Sequence, residues 1–409
     1  MHAVSNFLTR VADHKARVAE LVGLMPVVHL PITECLGLVL AEDLVAPVSL
    51  PPFDNSAMDG YAVRSADLSG ATTEHPVELP VADDIPAGRT DSTLLKPGTV
   101  HRIMTGAPVP EGADAVIQVE LTDAGTEQVR LFGSVRPGTN VRREADDVAI
   151  GSRVLTAGQP LRAAQLGLAA ALGFAELPVR RRPRVLVLST GTELVAPGTP
   201  LRPGQIYESN GVMLAAAVRE AGGEAELLRF VPDDVEQFHA TIAPHLAGAD
   251  LVVTSGGVSA GAYEVVKDAF TGRGVEFTKV AMQPGGPQGA GRYEGVPVAT
   301  LPGNPVSAQV SFEVFVRPAL LASMGQTQVE RPTARAAIST AISSPAGRRQ
   351  YRRGAYDPES GEVVTPVGGP GSHLLSSLAV ANCLIEVPED VTELPAGADV
   401  TVHFLHSPA

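Results

Sequence analysis

The chain has 409 residues, of which 44% are hydrophobic and 19% are charged, and its formal net charge is −14. This composition is typical of a folded globular protein and excludes a disordered chain, and the length predicts about two to four domains. The acidic charge, with only four lysines, argues against nonspecific nucleic-acid binding, which requires a basic face.

Cysteine usage and hydropathy indicate the compartment. Cys35 and Cys383 lie far apart and match no zinc spacing, which indicates free thiols in a reducing compartment. The N-terminal segment reads as a charged amphipathic helix and not as a secretory signal, and no apolar run approaches membrane-spanning length. We therefore expect a cytoplasmic protein with no membrane partner. The histidines, including His101, His239 and His373, do not have the spacing of metal ligands, so we assign them no functional role from the sequence.

The N-terminal part predicts short helices and strands up to a proline-rich linker. The first helix has no partner nearby, so it is a candidate to dock on a later domain. The predicted helices are Ser5–Leu24, capped by Ser5, and one near Thr33–Leu38; the strands are Val27–Leu30 and Asp43–Ala46, and Pro47, Pro51 and Pro52 mark the linker.

The run Pro51–Val63 (PPFDNSAMDGYAV) predicts a shaped loop, because it places polar residues between two prolines and Gly60. Such loops often carry chemistry, although a turn whose Asp and Asn bond their own backbone explains the run equally well. From Ala62 to Leu131 short alternating runs rich in Val, Thr, Pro and Gly predict a small barrel-like β-domain. Leu161–Leu172, rich in Ala and Leu, predicts a helix.

Continuous apolar strands alternate with helices in the middle of the chain. This pattern indicates a parallel sheet covered on both faces, in a doubly wound α/β domain. The predicted strands are Arg184–Leu188, Leu227–Pro232, Asp250–Thr254 and Pro297–Leu301, and the helices are Asn210–Ala221, Asp234–Leu246 and Val306–Leu320.

After Arg331–Pro332 short alternating strands return, which predicts a separate C-terminal β-domain. The fold class is therefore α/β plus β: a doubly wound α/β domain, a small barrel-like β-domain, an elongated linking domain and a C-terminal β-domain. The predicted bounds are 1–50 with 137–180 for the linking domain, 51–136 for the small domain, 181–328 for the α/β domain and 329–409 for the C-terminal domain.

Three loops leave the apolar strands at the edge where open α/β sheets bind ligands. The glycines and hydroxyls of Ser255–Glu264 suit an oxyanion next to a helix start. In Pro302–Ala308, Asn304 is expected to cap a helix that starts at Pro305. Tight packing explains each loop alone, but together with Ser189–Leu194 they favour a pocket for an anionic ligand.

Motifs spread over essentially the whole chain carry a family resemblance. They occur in the order PPFDNSAMDGYAV, IMTGAPVPEGADAV, LSTGTEL, IYESN, TSGGVSAGAYEVVKD, LPGNPVSA and GSHLLSSL. Together they resemble the molybdopterin molybdenumtransferase family, which includes bacterial MoeA and the E domain of animal gephyrin.

The resemblance implies a homodimer in which the α/β domain holds molybdopterin and the partner's small domain closes over it. It implies that adenylylated molybdopterin and molybdate are converted, with a divalent metal such as Mg²⁺, into molybdenum cofactor with release of AMP. The substrates are anions, so donors and cations are expected at the site, and a metal suits cleavage of a phosphoanhydride. A molybdopterin adenylyltransferase is an implied partner.

The same resemblance assigns residues to roles. Asp59 and Thr105 would act across the dimer in the partner's pocket. Asp146, Glu193 and Glu264 are further candidates for catalysis, and Glu193 and Asp146 for the metal. The candidates for binding substrate are Ser189, Thr190, Gly191, Ser255, Gly256, Gly257, Ser259, Gly261, Gln283, Pro302, Asn304, Ser307, Arg353, Ser372 and Ser376.

The sequence departs from the family pattern at positions that carry charge. Thr192 and Ala262 each stand where the bacterial pattern has an Asp, and Gln283 and Gly286 stand where it has lysines. The GED triplet becomes Ala145-Asp146-Asp147, which retains negative charge. Because the two Asp and the two Lys positions are lost together, the departures indicate a site with rearranged charges rather than a site that has lost its function.

Substitutes for the missing groups are available, and the sequence does not choose among them. The candidates are Glu193, Glu208, Glu264, Asp146 or Asp147 for the metal, and Arg292 or Lys279 for the positive charge. A paralogue that binds or carries molybdopterin or molybdate is the alternative to an active transferase. A scaffold has little support from the sequence, and an adenylyltransferase is disfavoured because such enzymes typically consist of the α/β domain alone.

Overall fold

The computed structural model describes residues 8–91, 94–231, 234–257, 265–359 and 361–406. The predicted combination of an α/β domain with β-domains is confirmed. The α/β domain is a six-stranded sheet with helices on both faces. Its strands lie in the order Glu224–Val231, Arg184–Thr190, Leu251–Ser255, Val296–Leu301, Pro287–Tyr293 and Val275–Lys279. One face packs against Asn210–Glu220 and the consecutive segments Pro305–Ser311, Phe312–Val316 (a π-helical turn) and Arg317–Ser323, and the other against Val235–Leu246 and Val265–Phe270.

The prediction of a parallel sheet is correct for the first four strands, but the last two pairings are antiparallel because Pro287–Tyr293 runs against both of its neighbours. Glu294 and Gly295, both at positive φ (49° and 82°), form the tight turn that joins Pro287–Tyr293 to its antiparallel neighbour. Glycines lower the β-propensity of that strand, so its pattern was not recognised. Gly289 is required there because a Cβ would clash with Thr300 Oγ1.

The N-terminal helix packs against the α/β domain. It begins at Val11 and ends at Val22, and its predicted cap, Ser5, lies outside the described residues. Val18 is buried in the same core as strand residue Val187. The ring of His14 meets Phe315 edge-on, with 4.7 Å between centroids.

Two distant segments form the linking region. Val27–Pro31 pairs with Glu176–Arg180, and Leu44–Val45 pairs with Arg153–Leu155, beside the helix Ala163–Ala171. The helix predicted near residues 33–38 was wrong, because only a 3₁₀ turn forms, at Ile32–Glu34. Gly37, at φ 77°, takes a left-handed conformation that a helix cannot continue through.

The small domain is a five-stranded sheet that curls towards closure. A bridge between Thr122 and Leu131 links its two edges, in agreement with the predicted barrel-like form. Its strands, in sheet order, are Ala115–Gln118, Gly60–Val63, Val100–Ile103, Val77–Ile85 and Gln128–Leu131; Asn55–Ser56 pairs with Val141–Arg142, and 3₁₀ turns cover Ser65–Leu68 and Val119–Leu121.

The C-terminal domain is a closed five-stranded barrel, which we call the barrel. The polar strand Arg349–Asp357 of this barrel was not predicted. Met282–Gln283, from the α/β domain, pairs in parallel with the start of that strand. Around the barrel the strands lie in the order Arg349–Asp357, Val363–Pro366, Thr333–Ile338, Asp399–Phe404 and Cys383–Val387. Cys383–Val387 pairs with Arg349–Asp357 and so closes the barrel. In the same domain Ile342–Ser343 pairs with Glu393–Leu394, and Leu375–Ala379 is a short helix. In the described ranges no helix has the length and apolar character needed to cross a membrane.

Candidate functional site

A cavity of about 930 Å³ lies at the carboxyl ends of the parallel strands, between the α/β sheet and the barrel. The structure brings the three predicted loops together at this cavity. Their lining residues are Ser189, Thr190 and Gly191, then Ser255, Gly256 and Gly257, then Pro302, Asn304 and Ser307. Ser259, Gly261 and Glu264, which were predicted beside them, lie outside the described residues.

Asn210, at the start of its helix, ties two of the loops together. Its Nδ2 donates to Ser255 Oγ at 2.8 Å and to the Gly303 carbonyl at 2.6 Å. The loops approach so closely that a Cβ on Gly303 would lie 3.3 Å from the Gly256 Cα. Asn210 was not among the predicted site residues, although its position in IYESN at a helix start was the available signal.

A flap, residues 194–207, forms one side of the cavity. Leu194–Val195 and Ile206–Tyr207 pair in parallel at its base, and Leu194, Ile206 and Tyr207 line the cavity. Tyr207 Oη donates to the Thr199 carbonyl at 2.9 Å, which fixes the ring against the flap. The flap thus gives a mostly polar cavity one apolar and aromatic wall.

Glu208 is a buried carboxylate in the lining. Its Oε1 accepts hydrogen bonds from the Gly211 N–H at 2.5 Å and from Ser189 Oγ at 3.1 Å. Its Oε2 is buried and has no hydrogen-bond partner in the described part of the chain, and Arg229 Nε lies 3.8 Å away. Since a buried carboxylate oxygen without a donor is costly, Glu208 suits a bound cation.

Glu193 is the second carboxylate of the cavity. It is exposed and folds back over Gly191, where a Cβ would lie 2.7 Å from its Oε2. No group of three or more His, Cys, Asp or Glu side chains able to hold a metal occurs among the described residues. Mg²⁺ commonly binds through one or two carboxylates together with substrate phosphates, so Glu193 and Glu208 fit that ion.

The barrel contributes Ser372 to the opposite wall. Asn304 occupies the N-cap position of its helix as expected, but its side chain makes no capping bond, and Nδ2 donates instead to Ser372 Oγ at 2.9 Å. The Val306 N–H donates to the Ser372 carbonyl at 3.0 Å. Pro305 occupies the first turn as predicted, and the partner on the barrel explains why the cap is not formed.

Arg353 lies behind the wall and does not line the cavity. It is 1% exposed; Nη1 donates to the Gly371 carbonyl at 3.2 Å and Nη2 to that of Gly369. Burial, and then the neighbouring Arg352, lower the pKa of Arg353. Arg353 therefore supports the loop that presents Ser372. Ser376 is exposed on the short helix beyond and is not part of the lining.

Gln283 lines the cavity where the family pattern has a lysine. Its Oε1 accepts from Gln350 Nε2 at 2.6 Å. The two cations considered as substitutes lie elsewhere, which corrects that expectation. Arg292 Nη2 donates to the Leu21 carbonyl of the N-terminal helix at 2.6 Å, and Lys279 does not line the cavity.

Asp59 and Thr105 form a pair on the exposed face of the small domain, away from this chain's own cavity. Asp59 Oδ1 accepts from the Thr105 backbone N–H and from its hydroxyl, both at 2.7 Å. The N–H and then the hydroxyl hold the pKa of Asp59 below its usual range. Asp146 accepts from the Arg143 N–H at 2.7 Å in an exposed loop and also does not line the cavity.

These features define a multidomain α/β protein whose ligand cavity is completed by a C-terminal barrel. Family comparisons agree with that architecture along the chain. Residues 9–173 match the MoeA N-terminal region (domain I and II), residues 186–322 match a probable molybdopterin binding domain, and residues 335–405 match the MoeA C-terminal region (domain IV). The chain belongs to the MoeA family.

Named relatives and a solved structure cover nearly the whole chain. It is 56% identical over 399 residues to molybdopterin molybdenumtransferase 2 of Mycobacterium tuberculosis (strain CDC 1551 / Oshkosh), across 96% of this chain and 98% of that protein. It is 39% identical over 381 residues to molybdopterin molybdenumtransferase of Haemophilus influenzae, across 91% and 93%. The crystal structure of the molybdopterin biosynthesis moea protein from Pyrococcus horikosii superposes with a TM-score of 0.84 and 32% identity, across 98% of this chain and 100% of that one.

Proposed function

We propose that the protein is a molybdopterin molybdenumtransferase, which converts adenylylated molybdopterin and molybdate into molybdenum cofactor and releases AMP. The observation that carries the proposal is the cavity at the strand ends. Its volume of about 930 Å³ lies near the upper end of the usual range for small-molecule sites, which suits a substrate composed of a pterin and a nucleotide. The names of the relatives support the same reaction.

The walls suit the chemical parts of that substrate. The backbone at Gly256 and Gly257, with the helix start at Pro305, suits phosphate oxygens, because glycines let a ligand approach the chain closely and a positive helix end favours anions. Tyr207 and Ile206 on the flap suit a planar ring. Ser372 adds a hydroxyl from the barrel, so a bound substrate would contact both domains.

Mg²⁺, when bound, would neutralise the charge that develops as the phosphoanhydride is cleaved. Glu193 and Glu208 are the residues proposed to hold it. Glu208 is held in place by Ser189 and the Gly211 N–H, which engage only its Oε1, while the buried Oε2 accepts no hydrogen bond among the described residues and has Arg229 Nε at 3.8 Å.

We further propose a homodimer in which Asp59 and Thr105 of each copy face the other copy's cavity. Both are exposed and lie outside their own chain's cavity. Asp59 is held ionised by Thr105 while its Oδ2 has no hydrogen-bond partner among described residues, so one oxygen is available to a ligand. The same proposal includes a cytoplasmic location and a molybdopterin adenylyltransferase as the supplier of substrate.

AMP release from adenylylated molybdopterin tests the proposal. Purified protein would be assayed with Mg²⁺, with and without molybdate, beside a variant carrying both Asp59→Asn and Thr105→Val. We expect molybdate-dependent release that the double variant loses, and a dimer in sedimentation analysis. Tight pterin binding without AMP release under any metal condition would replace the transferase with a carrier.

A further inference from the structure

The cavity is proposed to hold anions, yet its described lining contains no lysine or arginine. Glu193 and Glu208 instead give the lining negative charge. The undescribed residues 258–264 add no basic residue to the neighbouring sequence. Of the described side chains in the lining, only that of His373 can carry a positive charge.

We propose that His373 is the cationic binding residue of the cavity, which holds a tetrahedral oxyanion. The oxyanion is molybdate or a phosphate group of the substrate, which share charge and geometry. The choice of these two anions rests on the proposed function. In this role His373 supplies the positive charge that Gln283 and Gly286 do not, at a position on the barrel rather than on the α/β domain.

The surroundings leave the imidazole available. His373 is exposed into the cavity, and its ring nitrogens have no hydrogen-bond partner within the described ranges. The ring packs over Gly371, where a Cβ would lie 3.0 Å from Cε1 and 3.4 Å from Nδ1. The Leu375 N–H donates to the His373 carbonyl at 2.9 Å and fixes its backbone.

Charged groups surround His373 on two sides. Glu193 and Glu208 are the carboxylates in the lining of the same cavity. Behind its loop, Arg353 donates to the Gly371 and Gly369 carbonyls, and Arg352 Nη2 donates to that of Gly368 at 3.3 Å.

Equilibrium dialysis tests the assignment without relying on turnover. Molybdate and AMP would be titrated separately into the whole wild-type protein and into two variants. We expect His373→Gln to bind the relevant anion about tenfold more weakly than wild type, because a positively charged donor is lost. His373→Lys should bind that anion about as tightly as wild type, because lysine restores the charge. A loss confined to the molybdate arm identifies molybdate as the anion, and a loss confined to AMP identifies phosphate.

His75→Gln is the matched control, because His75 is exposed on the small domain and outside the cavity lining. Wild-type affinity for both anions in His373→Gln would overturn the inference even if molybdate-dependent AMP release is intact. Conversely, His373-dependent binding in a protein that releases no AMP would leave the inference standing while the proposed transferase fails.

Discussion

Asn304 donates a hydrogen bond from Nδ2 to Ser372 Oγ at 2.9 Å, and this bond joins the α/β domain to the barrel at the cavity. The backbone bond from Val306 to Ser372 runs beside it. Both residues line the cavity, so the position of each wall depends on the other domain. The shape of the site is therefore a property of domain docking as well as of the sheet.

Substitution of either Asn304 or Ser372 should lower the activity, because each substitution breaks the same hydrogen bond. We expect Asn304→Ala and Ser372→Ala each to lower kcat/KM for AMP release about fivefold to tenfold, equivalent to about 1 kcal/mol for one hydrogen bond. The double variant should lose little more than either single variant, because the bond is already broken. Fully additive losses in the double-mutant cycle would contradict the coupling.

The carboxylate of Glu208 should control the response to Mg²⁺. Glu208→Gln keeps an acceptor for the Gly211 N–H but removes the charge, so stability should change by less than about 1 kcal/mol while the apparent Mg²⁺ affinity falls at least about tenfold. Magnesium titration of AMP release measures the effect. Glu220→Gln, an exposed change at the end of the helix that begins at Asn210, is the control and should behave as wild type.

Arg353 should matter for stability as well as activity. Lysine cannot donate to the Gly371 and Gly369 carbonyls in the fixed geometry of a guanidinium, so Arg353→Lys should lower the free energy of unfolding by about 2 kcal/mol. Urea unfolding would measure it. Arg335→Lys, in an exposed pair with Asp399, should cost less than about 1 kcal/mol. Equal losses in the free energy of unfolding of the two variants would show that the buried hydrogen bonds of Arg353 stabilise the fold no more than an exposed ion pair does.

Protonation of His14 should destabilise the fold in mild acid. Burial, and then the charge of Arg17, lower the pKa of His14 from 6.5 to about 4. The unfolded chain therefore binds the proton first as the pH falls, and stability is lost between these values. From pH 7 to pH 5 wild type should lose about 2 kcal/mol more than His14→Leu. Urea unfolding at both pH values checks this, and parallel losses in the two proteins would contradict it.

The loops of the α/β domain could be predicted from the sequence, because the residues that determine their conformation are adjacent in the chain. Gly256 and Gly257 follow a fully apolar strand, and both take positive φ in the structure, as tight turns at a sheet edge require. Pro305 likewise marks a helix start by its own fixed φ. Each of these features depends on residues adjacent in the chain.

Features that depend on distant residues were missed. Asn304 looked like a helix cap because its true partner, Ser372, is 68 positions away. His373 has no metal spacing, so the sequence does not single it out. What distinguishes it is that no other side chain in the described lining can carry a positive charge, and that lining is assembled from several distant chain segments. Arg349–Asp357 was missed because its buried arginines obscure the alternation typical of a strand.

The strand Met282–Gln283 belongs by sequence to the α/β domain but pairs with the barrel, and Gln350 bonds the Gln283 side chain at 2.6 Å. A chain cut after residue 330 would therefore lose one wall of the cavity and expose an unpaired strand edge beside it. Ligand binding should also affect a strand of the barrel. Amide hydrogens in Arg349–Asp357 should exchange more slowly when a ligand occupies the cavity, because the ligand stabilises the docking of the two domains.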